Sequence, residues 1–282
     1  ADGGFDVNLI PAFNRFVTDD VAVAGSASFG ECEYQEVLDA ALQIYDGIFF
    51  EAAVQGQTVF ASSGDSGSAC YLTGAGALNG VPLSGFPDTN YPASSPYVIG
   101  VGGTSLFVNP DNSYFEEISW DAGGGGPAIL EGAPNWQQPF LPAYTVTEVQ
   151  QAYKGVPDVA MDADFLLSPG AYVLDGADTS NGGTSLASPL ALGAWARIQG
   201  AHKNSLGFAG PVIYSLGMQN ANLVVLSGVK GMNDIILGSN GLYTALPGYD
   251  FNTGMGSFDI SRVSSLLKPV GIGSFPVLGG LL

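Results

Sequence analysis

The chain has 282 residues, 46% hydrophobic and only 12% charged, which argues against disorder and leaves room for one large folded domain or two ordinary ones. Its 26 acidic and 7 basic residues give a formal net charge of -19 at neutral pH, so nucleic acid and anionic membranes are unsuited as partners. Protonation in acid would relieve that self-repulsion, and an acidic working environment is the first expectation.

In chain order, Phe5, Leu9, Phe13 and Phe16 recur at roughly a helical period, ended by Asp19-Asp20. A short buried strand is predicted over 21–30, breaking into a glycine turn at Ser28-Phe29-Gly30. Residues 36–54 read as a helix with Leu38, Leu42, Ile44, Ile48 and Phe49 towards the core, and 57–63 as the next buried strand, stopping at Gly64-Asp65-Ser66-Gly67. Helix, strand, helix, strand with short connections is the pattern of a parallel sheet covered by helices. A further strand is expected at 97–103. The run Gly123-Gly124-Gly125-Gly126 reads either as a flexible loop or as a backbone edge along which a ligand strand lies. Strand and turn segments at 156–160 and 171–176 lead into Gly182-Gly183-Thr184-Ser185 and a strongly apolar helix carrying Leu186, Leu190, Leu192, Trp195 and Ile198. A short helix is expected near 260–267, and 269–282 is an uncharged, glycine-punctuated tail.

Cys32 and Cys70 each stand beside a Gly- and Ser-rich turn, with no CxxC or Cys/His cluster, which argues against zinc and leaves one disulfide or two free thiols. A single disulfide in an acidic, lysine-poor chain fits an extracellular protein. No apolar run reaches membrane-spanning length, and Ala1-Asp2-Gly3-Gly4 carries no signal core, as in a mature or processed chain.

Ser185 falls at the first turn of its helix, where unpaired N–H groups and partial positive charge favour an anion. It is therefore a candidate nucleophile, with a plain helix cap as the alternative. The single histidine, His202, lies at the far end of the same helix, about 25 Å away at 1.5 Å per residue, so it cannot serve as base to Ser185 and is expected on the surface. Ser66, in Gly64-Asp65-Ser66-Gly67, resembles a chymotrypsin-type nucleophile loop, but the α/β pattern does not suit that fold. Without histidine, a carboxylate must take the serine proton, and such a site works best in acid. Asp65 follows a buried strand, where sites collect in parallel sheets, and a buried carboxyl that keeps its proton can donate to an oxyanion.

The segments 57–67, Tyr91-Pro92-Ala93-Ser94-Ser95-Pro96-Tyr97-Val98, Gly102-Gly103-Thr104, Gly155-Val156-Pro157-Asp158-Val159-Ala160 and Gly183-Thr184-Ser185 together resemble the sedolisins, the serine-carboxyl peptidases, in family order. The match covers nearly the whole chain from about residue 5 to residue 268. The resemblance implies a subtilisin-like α/β fold, a mostly parallel sheet with helices on both faces and a C-terminal calcium-binding region. It implies a peptidase domain over 1–268 followed by the tail, and activity in acid as an endopeptidase or exopeptidase. By the same resemblance Ser185 is the nucleophile and Asp65 the oxyanion-hole acid. Ser28, Phe29, Gly30 and Gly123, Gly124, Gly125, Gly126 would hold a substrate backbone by strand addition. Calcium would be bound by the side chains of Asp234 and Asp250 and the carbonyls of Ile235, Leu246 and Gly248, an all-oxygen shell. Taken alone, two aspartates so spaced are more often turn residues.

Sedolisins carry their base on a helix as Glu-x-x-x-Asp, both carboxyls on one face, and that helix precedes the region matching Ala1. Glu33, Glu36 and Asp39 stand in the wrong place for it and read as a solvated helix face. The expectation is a larger piece of a processed enzyme whose second chain supplies Glu and Asp. The alternatives are an inactive scaffold with a binding or assembly role, and an incomplete chain. An exposed sheet edge would then need covering, and the apolar tail is a candidate to pair with such an edge, its own or a neighbour's, giving self-assembly; a disordered tail is the other reading.

Overall fold

The computed structural model describes residues 5–38, 41–70, 86–141, 152–218 and 231–267. The first half contains α1 (Phe5–Asp19), β1 (Ala24–Ala27), β2 (Glu31–Cys32), α2 (Glu33–Leu38), α3 (Leu42–Gln55), β3 (Thr58–Ser62), β4 (Ala69–Cys70), β5 (Phe86–Pro87), β6 (Asn90–Tyr91), β7 (Val98–Val108), β8 (Tyr114–Ser119) and β9 (Gly126–Gly132). The second contains β10 (Tyr153–Val156), β11 (Val159–Asp162), β12 (Gly170–Leu174), β13 (Ala177–Asn181), α4 (Thr184–Ala201), α5 (Ala209–Met218), β14 (Met232–Asn233), β15 (Ser257–Phe258) and α6 (Ile260–Leu266).

The central sheet runs β1-β3-β7-β11 with every neighbour parallel, and β8 adds antiparallel to β7. β3 is buried along its whole length and so feeds two cores by alternation. Phe60 joins Ile99, Val101 and Val159 beneath α4, whereas Val59 and Ala61 join Val98 and face Tyr45 and Phe49 of α3. α4 presents Ala187, Ala191, Ala194, Trp195 and Ile198 at helical spacing, its alanines letting the axis lie close over the strands. On the other face α1 packs on α3 through Val17, Ile48 and Ala52, with the Phe13 and Phe49 rings edge-on at 4.9 Å. Helices therefore cover both faces, the expected subtilisin-like arrangement. Each large side chain buried in this way contributes roughly 1.5–3 kcal/mol.

Several local expectations are revised. The helix predicted over 36–54 is two helices, and Ile44 is exposed. Glu33 and Glu36 are buried and not solvated, so α2 turns a polar face inwards. Asp39 lies outside the described residues. The strand after α1 is confined to Ala24–Ala27, and Val21 is exposed. Cys32 and Cys70 form a disulfide that joins β2 to β4. His202 sits at the C-terminal end of α4, half-buried, with Nε2 3.0 Å from the Ser264 carbonyl. The tail 269–282 lies outside the described residues. Among the described residues no helix is long and apolar enough to cross a membrane.

Candidate active site

Ser185 is the second residue of α4 and is exposed. Four residues on stands Pro189, which has no N–H to donate to the Ser185 carbonyl. That carbonyl instead accepts a hydrogen bond from Ser28 Oγ at 2.7 Å, and Ser185 Oγ donates to the Ser28 carbonyl at 3.2 Å. One turn further into the helix Ser188 Oγ meets Ser26 Oγ of β1 at 2.8 Å. The proline thus opens a backbone acceptor on the helix, and the strand end at Ser28 closes it, fixing the serine against one of the predicted substrate edges. Among the described residues no carboxylate or imidazole hydrogen-bonds to Ser185.

Asp65 comes from the loop after β3 and meets the same helix. Its Oδ1 accepts from Thr184 N and from Thr184 Oγ1, both at 2.7 Å, so the carboxylate of another loop fills the role a capping side chain would play. No side chain of α4's own leader caps it: the position before Thr184 is Gly183, at φ +86°. A Cβ on Gly183 would also lie 2.6 Å from Asp65 Oδ2, so glycine is required there both by the backbone and by the approach of the carboxylate. The Gly64 amide donates to Thr184 Oγ1 at 3.1 Å, completing a ring of contacts among Gly64, Asp65 and Thr184. Asp65 is exposed, in contrast to the buried carboxyl expected at this position.

The glycine run is buried in its entirety, which disposes of the flexible-loop reading. Gly124 N donates to the Gly64 carbonyl at 2.7 Å, and its own carbonyl accepts from Ser63 Oγ at 2.7 Å. A Cβ on Gly124 would collide with the Ser63 carbonyl, so the residue type is set by backbone running against backbone. Gly126 then begins β9. Phe29 is half-buried, its ring centroid 6.0 Å from that of Phe13, while Ser28 and Gly30 are exposed. The loops carrying Ser28, Asp65, Gly124 and Ser185 are thus joined by hydrogen bonds into one cluster at the N-terminus of α4. Thr184, Gly183 and Pro189 are its supporting residues. Of these, the proline four places after the serine was the readable signal.

The candidate calcium residues form a separate group. Asp234 accepts from Gly248 N at 3.1 and 3.2 Å, and Asp250 accepts from Leu246 N at 2.9 Å as well as from Asn252 N and Thr253 N. Both carboxylates therefore converge on the 246–248 backbone. Burial raises the Asp234 carboxyl above its ordinary range and pushes Asp250 up to about 6, against the opposing pull of the loop amides. Among the described residues no donor is bonded to the carbonyls of Ile235, Leu246 or Gly248. A buried acid and a half-buried one beside three uncommitted carbonyls suit a hard divalent cation.

A parallel α/β domain with a serine at a helix N-terminus, a carboxylate held on that same turn and a buried glycine edge beside it has the subtilisin-like architecture, and comparison with known proteins narrows it. The chain is 36% identical over 288 residues to sedolisin of Pseudomonas sp. (strain 101), covering 95% of this chain and 44% of that protein. It is 34% identical over 300 residues to xanthomonalisin of Xanthomonas sp. (strain T-22), covering 94% of this chain and 34% of that protein. The solved structure of Pseudomonas sedolisin, a serine-carboxyl proteinase complexed with two molecules of pseudo-iodotyrostatin, superposes with a TM-score of 0.77 at 35% identity, over 94% of this chain and 70% of that one. No family model matches. The chain belongs to the sedolisin family, and it spans less than half the length of these two curated relatives.

Proposed function

We propose that this chain is the serine-bearing part of an acid-acting serine-carboxyl peptidase that hydrolyses peptide bonds in peptide or protein substrates. The observation that carries the reading is that Asp65 Oδ1 is held by Thr184, the residue next to Ser185 on the first turn of α4. Ser185 Oγ attacks the scissile carbonyl while its proton passes to a glutamate carboxylate. That base and its supporting aspartate come from a segment outside the present chain, on a second chain or elsewhere in the polypeptide. The oxyanion is held by the Ser185 amide and by a proton on Asp65 Oδ2, since Oδ1 is already engaged. Collapse expels the amine, which takes the proton from the glutamic acid, and water then hydrolyses the acyl-enzyme by the reverse transfers. The substrate backbone lies between the Ser28–Gly30 and Gly123–Gly126 edges as an added strand. A carboxyl base and a carboxyl oxyanion donor both suit acid, and the acidic composition and the disulfide suit a secreted protein working there. The test is exposure of the full-length polypeptide to a peptide aldehyde at acid pH, with parallel assay on a denatured protein substrate. An adduct on Ser185 that blocks hydrolysis is expected; neither adduct nor hydrolysis would leave an inactive scaffold as the function.

A resident calcium ion belongs to the same proposal. Asp234 and Asp250 with the carbonyls of Ile235, Leu246 and Gly248 would hold it, and the ion would neutralise the two carboxylates and pin the loop. Chelation is then expected to lower the melting temperature, by a stabilisation on the order of 3 kcal/mol at a hundredfold excess of ion over Kd, and Asp250→Ala should abolish the difference. A melting temperature indifferent to chelator removes calcium from the proposal.

A further inference from the structure

β9 is irregular where it should be a simple antiparallel partner of β10. Between the pairs Tyr153↔Gly132 and Gly155↔Pro127, β10 advances by two residues while β9 advances by five. The surplus residues of β9 turn their amides out of the ladder, and buried amides without acceptors are costly. One side chain receives them. Glu33, fully buried at the start of α2, accepts from Ile129 N at 2.6 Å and Leu130 N at 3.2 Å through Oε2, and from Glu131 N at 2.8 Å through Oε1. The Glu33 amide is itself fixed on the Thr89 carbonyl at 2.9 Å, and the adjoining Cys32 is bonded to Cys70. The carboxylate is therefore anchored from behind and grips the bulge in front.

Both ends of this clamp lie next to the predicted substrate edges. Ser28-Phe29-Gly30 runs into β2 and then directly into Glu33, and Gly123–Gly126 runs into β9 and then directly into Ile129. We infer that Glu33 is a positioning residue that sets the spacing between the two backbone edges that would grip a peptide, by holding the β9 bulge against the start of α2. The inference rests on the reading of those edges as substrate strands. Glu33 touches no reacting atom; it acts through the bulge.

The test uses the full-length protein and two substrates: a long peptide that lies along both edges, and a short chromogenic amide that does not reach them. With Glu33→Gln, one acceptor oxygen becomes an amide donor facing N–H groups. The KM for the long peptide is expected to rise about tenfold more than that for the short amide, with kcat changing less than KM. Amide exchange at 123–131 is expected to quicken, and Glu33→Asp should recover part of both effects. Equal losses on long and short substrates, or unchanged exchange at 123–126, overturn the inference and leave Glu33 a merely structural acid. Should Glu33→Gln fail to fold, Glu33→Asp carries the same comparison. Should the wild-type protein cleave neither substrate, the peptidase reading fails by itself, and the exchange rates alone decide whether Glu33 fixes the glycine edge.

Discussion

Replacing Ser185 by alanine in the full-length polypeptide is expected to lower kcat for peptide hydrolysis by about 10⁴-fold or more, since loss of a nucleophile leaves only binding and oxyanion stabilisation. Asp65→Ala is expected to cost less, about 10²–10³-fold in kcat, the usual loss for one oxyanion donor. The two should not multiply in the double variant, because both act on one intermediate. Asp65→Asn distinguishes the two jobs of that side chain. Its amide oxygen can still accept from Thr184 N and Oγ1, and its nitrogen can still donate towards the oxyanion. It should therefore keep the fold of the helix start and recover part of the activity that Asp65→Ala loses. Steady-state kinetics at acid pH read all four variants against wild type. If Asp65→Ala retains kcat within about threefold of wild type, Asp65 is only a cap on α4, worth about 1 kcal/mol of stability.

The division between what the sequence made legible and what it did not follows the physics of each element. β3 and β7 were readable because both are apolar runs buried on two faces, and α4 because a glycine turn precedes a long apolar helix. Ser185 and Asp65 were readable as candidates from a helix start and a strand end and acquired roles through the motifs, whereas the hydrogen bonds from Thr184 to Asp65 depend on segments 119 residues apart. Glu33 was misread. An acidic residue at the start of a helix usually faces water, and nothing local announces that three amides of a distant bulge will converge on it. Asp158, part of a recognisable motif, is held in the core by the Gly100 amide at 2.8 Å, Tyr214 Oη at 2.9 Å and Lys154 Nζ at 3.2 Å. That motif is a signature of the packing, since Lys154 also donates to the carbonyls of Ala93, Ser95 and Val98. Backbone crowding at Gly124 was likewise invisible, because a glycine run has the same letters in a mobile loop and in a buried edge.

The same bulge bears on why such a chain would prefer acid. Glu131 is buried close to Asp46 of α3, whose Oδ1 accepts from Tyr91 Oη at 2.9 Å and Ser95 Oγ at 2.7 Å. Burial first, then the Asp46 charge and its hydrogen bond, push the Glu131 carboxyl from 4.5 up to about 9; Glu33 of α2 adds to the rise, and Lys154 of β10 opposes it. The folded protein thus holds this proton more tightly than the unfolded chain does. The resulting stability is complete below about pH 4.5 and is lost as pH climbs towards about 9, because the folded state must either keep a proton against the solution or bear two charges in contact. Asp88, pushed by burial to about 6, and Glu33, raised chiefly by burial, slope the same way. Glu131→Gln keeps a donor to Asp46 without the charge. Denaturant unfolding at pH 4, 5.5 and 7 should show wild-type stability falling across the series and a shallower fall in the variant, with the variant the more stable at pH 7 by on the order of 2 kcal/mol. An identical slope in both proteins would mean that the Glu131 proton does not set the pH dependence of stability, and would leave the proposed acid preference to the catalytic carboxyls alone.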